Sequence, residues 1–293
     1  SSFSEECKRL AKQGVKISII NEKKLQQIGM EALLAVGKGS SQPSYVVLME
    51  WNGGHKKDKP LAFIGKGVCF DSGGLSLKPS KSMEDMKWDM GGAGVVTGLM
   101  DSISKSNLKH NVLGVIGLVE NMPDGNAQRP GDVINSISGK TIEVLNTDAE
   151  GRLILADGLS YASKHYDPEY ILDFATLTGA MVVTLGHIAT GVMGTDDSLM
   201  NKVKDSSEKT GERVWELPLW PEFCKQIKSN IADVKNMGSA GQAGSIAAGA
   251  FLKEFVGESI PWVHFDIAGT AWGSKPSSID PKGSATGVGI RLV

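Results

Sequence analysis

The chain has few of the residues from which disulfide frameworks and structural zinc sites are built. It contains three cysteines in 293 residues, and none is paired at a zinc-ligand spacing. It also contains five histidines without ligand spacing, which we expect to be structural or surface residues. The histidines are His55, His110, His165, His187 and His264. The odd number of cysteines fits a reducing compartment, so we expect a cytoplasmic protein.

The sequence also lacks a strong excess of charge and a long, purely apolar run. Its net charge of −2 and its pI of about 6.2 argue against a general nucleic-acid surface, which is usually strongly basic. Residues 1–14 are polar and charged and do not resemble a signal peptide. Residues 174–195 carry no Asp, Glu, Lys or Arg, but they are too rich in threonine and glycine for a membrane-spanning helix. We therefore expect no membrane segment and do not expect DNA as a partner.

Hydrophobic residues make up 41% of the chain, which is enough for a substantial core. Helical patterns, among them 21–36 and 197–210, alternate with strand patterns such as 111–119, whose near-continuous apolar run is typical of a strand buried on both faces. Residues 141–146 read as a further strand. The pattern predicts an α/β fold with a mixed, largely parallel central sheet flanked by helices on both faces.

The most informative segment is the octapeptide 146–153, Asn-Thr-Asp-Ala-Glu-Gly-Arg-Leu. If the backbone is extended here, Asp148, Glu150 and Arg152 share one face, because alternate side chains of a strand point the same way. Two carboxylates and a cation aimed at one place suit a metal site that also holds an anion. The alternative is a threonine-capped turn that leads into the apolar run 153–159.

A second group of charged residues lies upstream. Lys66, Asp71 and Lys78 belong to the glycine-rich segment 64–79, and Asp89 follows ten residues later. Each has a simpler alternative, since the lysines could be solvated, Asp71 could belong to a turn, and Asp89 could cap a helix near residue 91. Ligands of open α/β sheets bind beyond the carboxyl ends of strands, and both groups follow predicted strands. We therefore expect the two groups to meet.

Four carboxylates in one cleft, Asp71, Asp89, Asp148 and Glu150, require cations. Two like charges about 4 Å apart repel each other by roughly 4 kcal/mol at an effective dielectric constant near 20. Two divalent ions would balance the four charges, and Lys66 would then be either a neutral ligand or a charged counter-ion. Oxygen-rich ligation suits manganese or magnesium, and zinc also accepts carboxylates.

These motifs resemble those of the leucyl aminopeptidase (cytosol aminopeptidase) family. The octapeptide is the signature of that family, and segments 65–79 and 83–94 match two further blocks, with the resemblance running from about residue 60 to the C-terminus. It implies one catalytic domain over 1–293 with a helical lead-in at 1–40. It also implies a two-metal exopeptidase that attacks peptides with a metal-bridging water and prefers a leucine-like or methionine-like N-terminal residue.

The resemblance further implies a role for each motif residue. Asp71 and Glu150 would bridge the metals, Lys66 and Asp89 would complete the tighter site, and Asp148 would complete the more exchangeable one. Lys78 would stabilise the oxyanion, and Arg152 would hold a bicarbonate that acts as the base. The remaining expected positions contact the substrate, and Met86 has core packing as its alternative. They are Met86, Thr176, Gly179 and the backbone of Leu177.

Family members assemble as homohexamers and carry a separate N-terminal domain, which we expect to be absent from this chain.

Two other functions remain open beside the aminopeptidase. A carboxylate cluster with Lys and Arg also suits two-metal hydrolysis of phosphoesters. A third reading is a DNA-binding assembly in which catalysis is secondary.

Overall fold

The computed structural model describes residues 2–272 and 284–293, which contain two sheets. The strand bounds, in chain order, are β1 Lys16–Asn21, β2 Tyr45–Asn52, β3 Leu61–Asp71, β4 Asn111–Asn121, β5 Val133–Asn135, β6 Thr141–Glu143, β7 Tyr170–Ala175, β8 Thr190–Gly194, β9 Val214–Glu216, β10 Val234–Lys235 and β11 Trp262–Asp266. The eight strands of the main sheet lie in the order β1-β2-β4-β3-β7-β11-β8-β9, and a small sheet has the order β10-β6-β5.

Helices cover both faces of the main sheet. The α-helices within the described residues are α1 Ser2–Cys7, α2 Glu22–Ile28, α3 Glu31–Gly37, α4 Gly91–Ser106, α5 Gly151–Tyr166, α6 Gly179–Leu185, α7 Asp197–Thr210, α8 Pro221–Gln226 and α9 Gly244–Lys253. One hydrophobic cluster joins the sheet to α3, α5 and α9, and a second joins it to α4 and α7. No described helix is both long and apolar enough to cross a membrane.

The predicted fold class is confirmed. Strands β4, β3, β7 and β11 are parallel neighbours at the centre of the main sheet, and antiparallel pairs flank them. Successive side chains of β3 point to opposite faces of the sheet, so this strand contributes to both hydrophobic clusters. Phe63 packs into the cluster beneath α4, whereas Ile64 packs into the cluster beneath α5.

Two local predictions were wrong in detail. The helix predicted over 21–36 is divided at Gly29, whose φ of +80° ends α2 in the left-handed region. The strand predicted over 141–146 stops at Glu143, and it pairs in the small sheet rather than in the main one. The signature therefore follows a short strand outside the central sheet, which the carboxyl-end argument did not anticipate.

Candidate metal centre and adjoining cavity

Strand β3 carries two of the expected residues into the interior. Lys66 lies in the middle of this strand and Asp71 is its last residue, and both side chains are buried. The chain then turns at Gly73 and Gly74, which have φ values of +86° and +65°. A side chain at Gly73 would lie 2.5 Å from the carbonyl oxygen of Ser76, so glycine is needed for the turn to close.

Three carboxylates meet at this end of β3. Asp71, Asp89 and Glu150 each offer one oxygen, and these oxygens lie within 4.8 Å of one another. The residues are 2, 7 and 1% exposed, respectively. Asp89 directly follows the 3₁₀ helix Met83–Trp88 and does not cap α4, whose N-cap is Met90.

The ammonium of Lys66 lies among these carboxylates. Its Nζ donates to Asp89 Oδ1 and to the carbonyl oxygen of Thr176, both at 2.8 Å, and lies 2.9 Å from Glu150 Oε1. Burial lowers the pKa of Lys66, but the carboxylates of Asp89, Glu150 and Asp71 more than offset this effect and raise it above its ordinary value. Among the described residues, Lys66 lies in the position of a counter-ion to these carboxylates.

The cluster raises the pKa of two of its carboxyl groups, those of Glu150 and Asp89. Burial raises the pKa of Glu150 to about 8, with a further rise from Asp71 and an opposing effect of Lys66. Burial also raises the pKa of Asp89 to about 6, although Lys66 opposes this rise. A bound multivalent cation would stabilise such a cluster, because it supplies the positive charge that protons otherwise supply.

The donor atoms of the cluster fit divalent metal ions. Within the part of the chain that the structure describes, Asp89 Oδ2 is buried without a hydrogen bond, and Glu150 Oε1 contacts Lys66 without hydrogen-bond geometry. Carboxylate oxygens with a buried amine nearby form a hard donor set of the kind that manganese, magnesium or zinc accepts. The described residues of the cluster therefore could hold such ions.

Lys78 connects Asp148 to the buried triplet. Its Nζ lies 2.9 Å from Asp71 Oδ2 and 2.5 Å from Asp148 Oδ1. The side chain of Asp148 is 34% exposed, so it lies at the mouth of the cluster, whereas Asp71 and Glu150 lie inside. The structure thus brings together all four carboxylates and both lysines that the sequence singled out.

The signature segment is neither extended nor a threonine-capped helix start. Glu150 precedes α5 with helical backbone angles, and its side chain makes no capping bond. Thr147 instead donates from Oγ1 to the carbonyl oxygen of Gly73 at 2.6 Å and accepts from the amide of Ser76 at 2.8 Å. These bonds join the signature to the loop after β3, so a turn brings Asp148 to the cluster.

Arg152 lies in the first turn of α5 and is almost fully buried. Its Nη1 donates to the carbonyl oxygen of Asn236 at 2.8 Å, whereas its Nε has no hydrogen-bond partner among the described residues. Burial lowers the pKa of Arg152 to about 10, against the effect of the carboxylates of Glu150 and Asp266. The guanidinium therefore stays charged at neutral pH and keeps a donor for an anion.

A cavity of about 570 Å³ adjoins the cluster. Asp148 and Arg152 lie on its wall, together with Leu177 from the turn after β7 and Gly179, the first residue of α6. The facing wall is formed by residues 237–239 and 241–246, which the sequence analysis did not identify.

Two expected pocket residues have other positions. Thr176 donates from Oγ1 to Asp89 Oδ1 at 2.7 Å and is not among the described residues that line the cavity. Half-buried Met86, in the 3₁₀ helix, does not line it either. Their contact with substrate stays a prediction.

Two further polar residues, which the sequence did not single out, hold Asp71 and the turn beside the cavity in place. Asn121 donates from Nδ2 to Asp71 Oδ1 at 2.8 Å and to the carbonyl oxygen of Thr147 at 2.9 Å. Asp266 accepts from the amide of Leu177 at 3.2 Å and from Oγ1 of Thr178 at 2.7 Å. Asn121 and Asp266 each end a strand of the main sheet, so the carboxyl-end argument could have found them.

Comparison with known proteins shows the family of this chain. The family model for the catalytic domain of the cytosol aminopeptidase family matches residues 1–293. The chain belongs to this family. It is 54% identical over 292 residues to a probable cytosol aminopeptidase of Brucella melitensis, covering 99% of this chain and 59% of that protein. A probable cytosol aminopeptidase of Agrobacterium fabrum is 53% identical over 291 residues, which cover 99% of this chain and 58% of that protein.

The resemblance inferred from the signature is thereby confirmed. The chain spans a little under three fifths of the length of these relatives. Members of this family are typically metal-dependent hydrolases of the leucyl aminopeptidase type, and the described residues include a buried acidic cluster that could hold a metal ion.

Proposed function

We propose that this protein is a two-metal aminopeptidase that removes an apolar, leucine-like or methionine-like residue from the N-terminus of peptides. The observation that carries the proposal is the position of the carboxylate triplet beside the cavity. Asp148 belongs both to the charged network and to the cavity wall. A peptide in the cavity would therefore present its first residue to the metal ions.

The proposed ligands are those that the family pattern implies. Asp71 and Glu150 would serve both cations, Lys66 and Asp89 would complete one site, and Asp148 would complete the other. The cations, when bound, would polarise the scissile carbonyl and lower the pKa of an attacking water. Lys66 then changes its role to that of a neutral ligand, because dications next to an ammonium favour loss of its proton.

The chain's own cations and pocket residues supply the remaining roles. Lys78 stabilises the oxyanion of the tetrahedral intermediate, because its ammonium already reaches Asp71 and Asp148. The free Nε of Arg152 is available to a bicarbonate that serves as the base. The substrate contacts proposed for the pocket are Met86, Thr176, Gly179 and the backbone of Leu177.

We also propose that residues 1–293 act as one catalytic domain within a cytoplasmic homohexamer. Support for one domain comes from the core, because Ile142 and Val234 of the small sheet pack into the same cluster as Ile64 of the main sheet. The relatives' name, cytosol aminopeptidase, supports the location. Light scattering after size-exclusion chromatography tests the assembly, and a monomer at micromolar concentration would contradict it.

The deciding experiment is hydrolysis of a leucine anilide by metal-stripped protein. Manganese, zinc or magnesium is added back, with the N-acetylated anilide as control. We expect metal-restored activity on the free amine alone, because the α-amine serves as a metal ligand. Equal cleavage of the acetylated substrate, or cleavage only of a phosphodiester offered in parallel, would overturn the proposal.

A further inference from the structure

A single asparagine in the small sheet holds the signature segment in place. Asn236 follows β10 and is fully buried. Its Oδ1 accepts from the amides of Leu145 and Asn146 at 2.8 and 3.4 Å. Its Nδ2 donates to the carbonyl oxygens of Asn146 and Ala149 at 2.7 and 3.3 Å. Both ends of the side-chain amide therefore bind backbone that leads to Asp148.

The hydrogen bonds of the Asn236 side chain begin where the backbone pairing between β10 and β6 ends. β10 and β6 are paired in parallel up to Lys235 and Glu143, and the amide of Asn236 adds one more bond to the carbonyl oxygen of Glu143 at 2.9 Å. Beyond that point the signature turns towards the cluster and leaves its backbone groups without strand partners. The side chain of Asn236 offers a donor and an acceptor in one plane, as a peptide group does.

The main chain of Asn236 also reaches the anion-binding side of the site. Its carbonyl oxygen accepts from Arg152 Nη1 at 2.8 Å. The next residues, Met237 and Gly238, line the cavity. One residue thus connects the ligand segment, the arginine and the cavity wall, although it is not close to them in sequence.

We propose that Asn236 is a positioning residue that fixes Asp148 and Arg152 relative to the carboxylate triplet. The part of this inference that concerns turnover rests on the proposed function, whereas the part that concerns cation binding does not. Without the amide, the segment 145–149 would lose up to four hydrogen bonds inside the protein. Residues that orient metal ligands in this way typically change metal affinity by about 10- to 100-fold when they are replaced.

The test measures binding of Mn²⁺ to metal-stripped Asn236→Asp and Asn236→Ala by calorimetry. Asn236→Asp keeps the shape of the side chain and the Oδ1 acceptor, but it places an oxygen against two carbonyl oxygens. We expect the weaker Mn²⁺ equivalent to bind at least ~10-fold less tightly in both variants. Affinities within twofold of the unaltered chain, in either variant that shows native circular dichroism, would overturn the proposal.

Asp233→Ala is the matched control. Asp233 is exposed and joins the same two strands at their other end, through Oδ2 to the amide and hydroxyl of Thr141, both at 2.8 Å. Its loss weakens the small sheet without touching the signature, so Mn²⁺ affinity should be unchanged. An equal loss of affinity in this control would show a general structural effect and contradict the positioning role.

A double-mutant cycle with Arg152→Ala tests the part that concerns turnover. If Asn236 acts by placing Arg152, Asn236→Asp should lower kcat for the leucine anilide less in the Arg152→Ala background than in the unaltered chain. Fully multiplicative effects would contradict action through Arg152. Absence of peptidase activity in every form would refute the proposed function, whereas the Mn²⁺ affinities would still decide whether Asn236 positions the ligands.

Discussion

Gly151 lies directly against the side chain of Lys66. A Cβ at Gly151 would stand 2.7 Å from Lys66 Cδ and Cε and 2.9 Å from Nζ. Carbon atoms in proteins do not approach so closely, so the first residue of α5 is glycine because the buried lysine occupies the space that a side chain would need. The close contact couples the start of this helix to the geometry of the cluster.

Gly151→Ala should therefore displace the ammonium of Lys66 from Asp89 and Glu150. We expect a loss of about 1–3 kcal/mol in the free energy of unfolding from overpacking, and a fall in kcat of the order of 100-fold from the displaced group. Urea denaturation and the anilide assay measure the two effects. Gly94→Ala is the control, because its Cβ would meet only Met90 Cε at 4.0 Å and alanine favours the helix. Wild-type turnover in Gly151→Ala would contradict the coupling.

Lys78→Ala should separate catalysis from metal binding. The ammonium contacts Asp71 and Asp148 but supplies no oxygen ligand, so two metal equivalents should remain by elemental analysis. Turnover should fall at least ~100-fold, which is typical for removal of an oxyanion donor. The exposed Lys81, in the same loop, is the matched control, and its replacement by alanine should leave turnover unchanged. Unchanged turnover in Lys78→Ala would remove this residue from the mechanism.

Asp148→Ala should lose one of the two metal equivalents. Its carboxylate lies at the mouth of the cluster and is outside the mutually close triplet, so the inner ligands remain. Elemental analysis after dialysis counts the ions. Asp124→Ala removes an exposed carboxylate from the loop after β4 and should retain both ions. Retention of both by Asp148→Ala would show that the ligand assignment is wrong.

The buried pair His264 and Asp173 should make stability depend on pH. Burial lowers the pKa of His264, but the carboxylate of Asp173, 2.6 Å from Nδ1, and that of Asp266 outweigh this effect and the opposing effect of Arg152. The pKa in the folded protein therefore lies above the ordinary value of 6.5. The resulting stabilisation is complete below pH 6.5 and is lost as the pH rises through the folded-state pKa.

Urea denaturation between about pH 5.5 and 9 would measure this dependence, since the window must bracket an ordinary histidine pKa of ~6.5. We expect the difference in the free energy of unfolding between the unaltered chain and His264→Gln to shrink as the pH rises. His55→Gln, at an exposed position, should show no such trend. A difference that grows with pH would mean that the pair favours neutral histidine.

Elements whose boundaries depend on neighbouring residues were predictable from the sequence. The helix predicted over 197–210 has those bounds in the structure, because Asp196 caps its start through the amide of Leu199 and Gly211 ends it with φ +75°. The strand predicted over 141–146 was too long. After Glu143 the backbone binds the side chain of Asn236 rather than a neighbouring strand. That pairing involves a residue about ninety positions away, which no local pattern reveals.

The sequence by itself determined the family and the identity of the charged residues, because the signature and its glycine-rich partner are contiguous segments. Only the tertiary structure decided how they meet. Lys66 binds the carbonyl oxygen of Thr176 across 110 positions, and Asn121 reaches Asp71 across 50. Such contacts depend on strand order and register, which place the centre of β3 beside the end of β7 and the end of β3 beside the end of β4. Hydrogen bonds across the sheet and buried charge, rather than local backbone preference, therefore fix the geometry of the site.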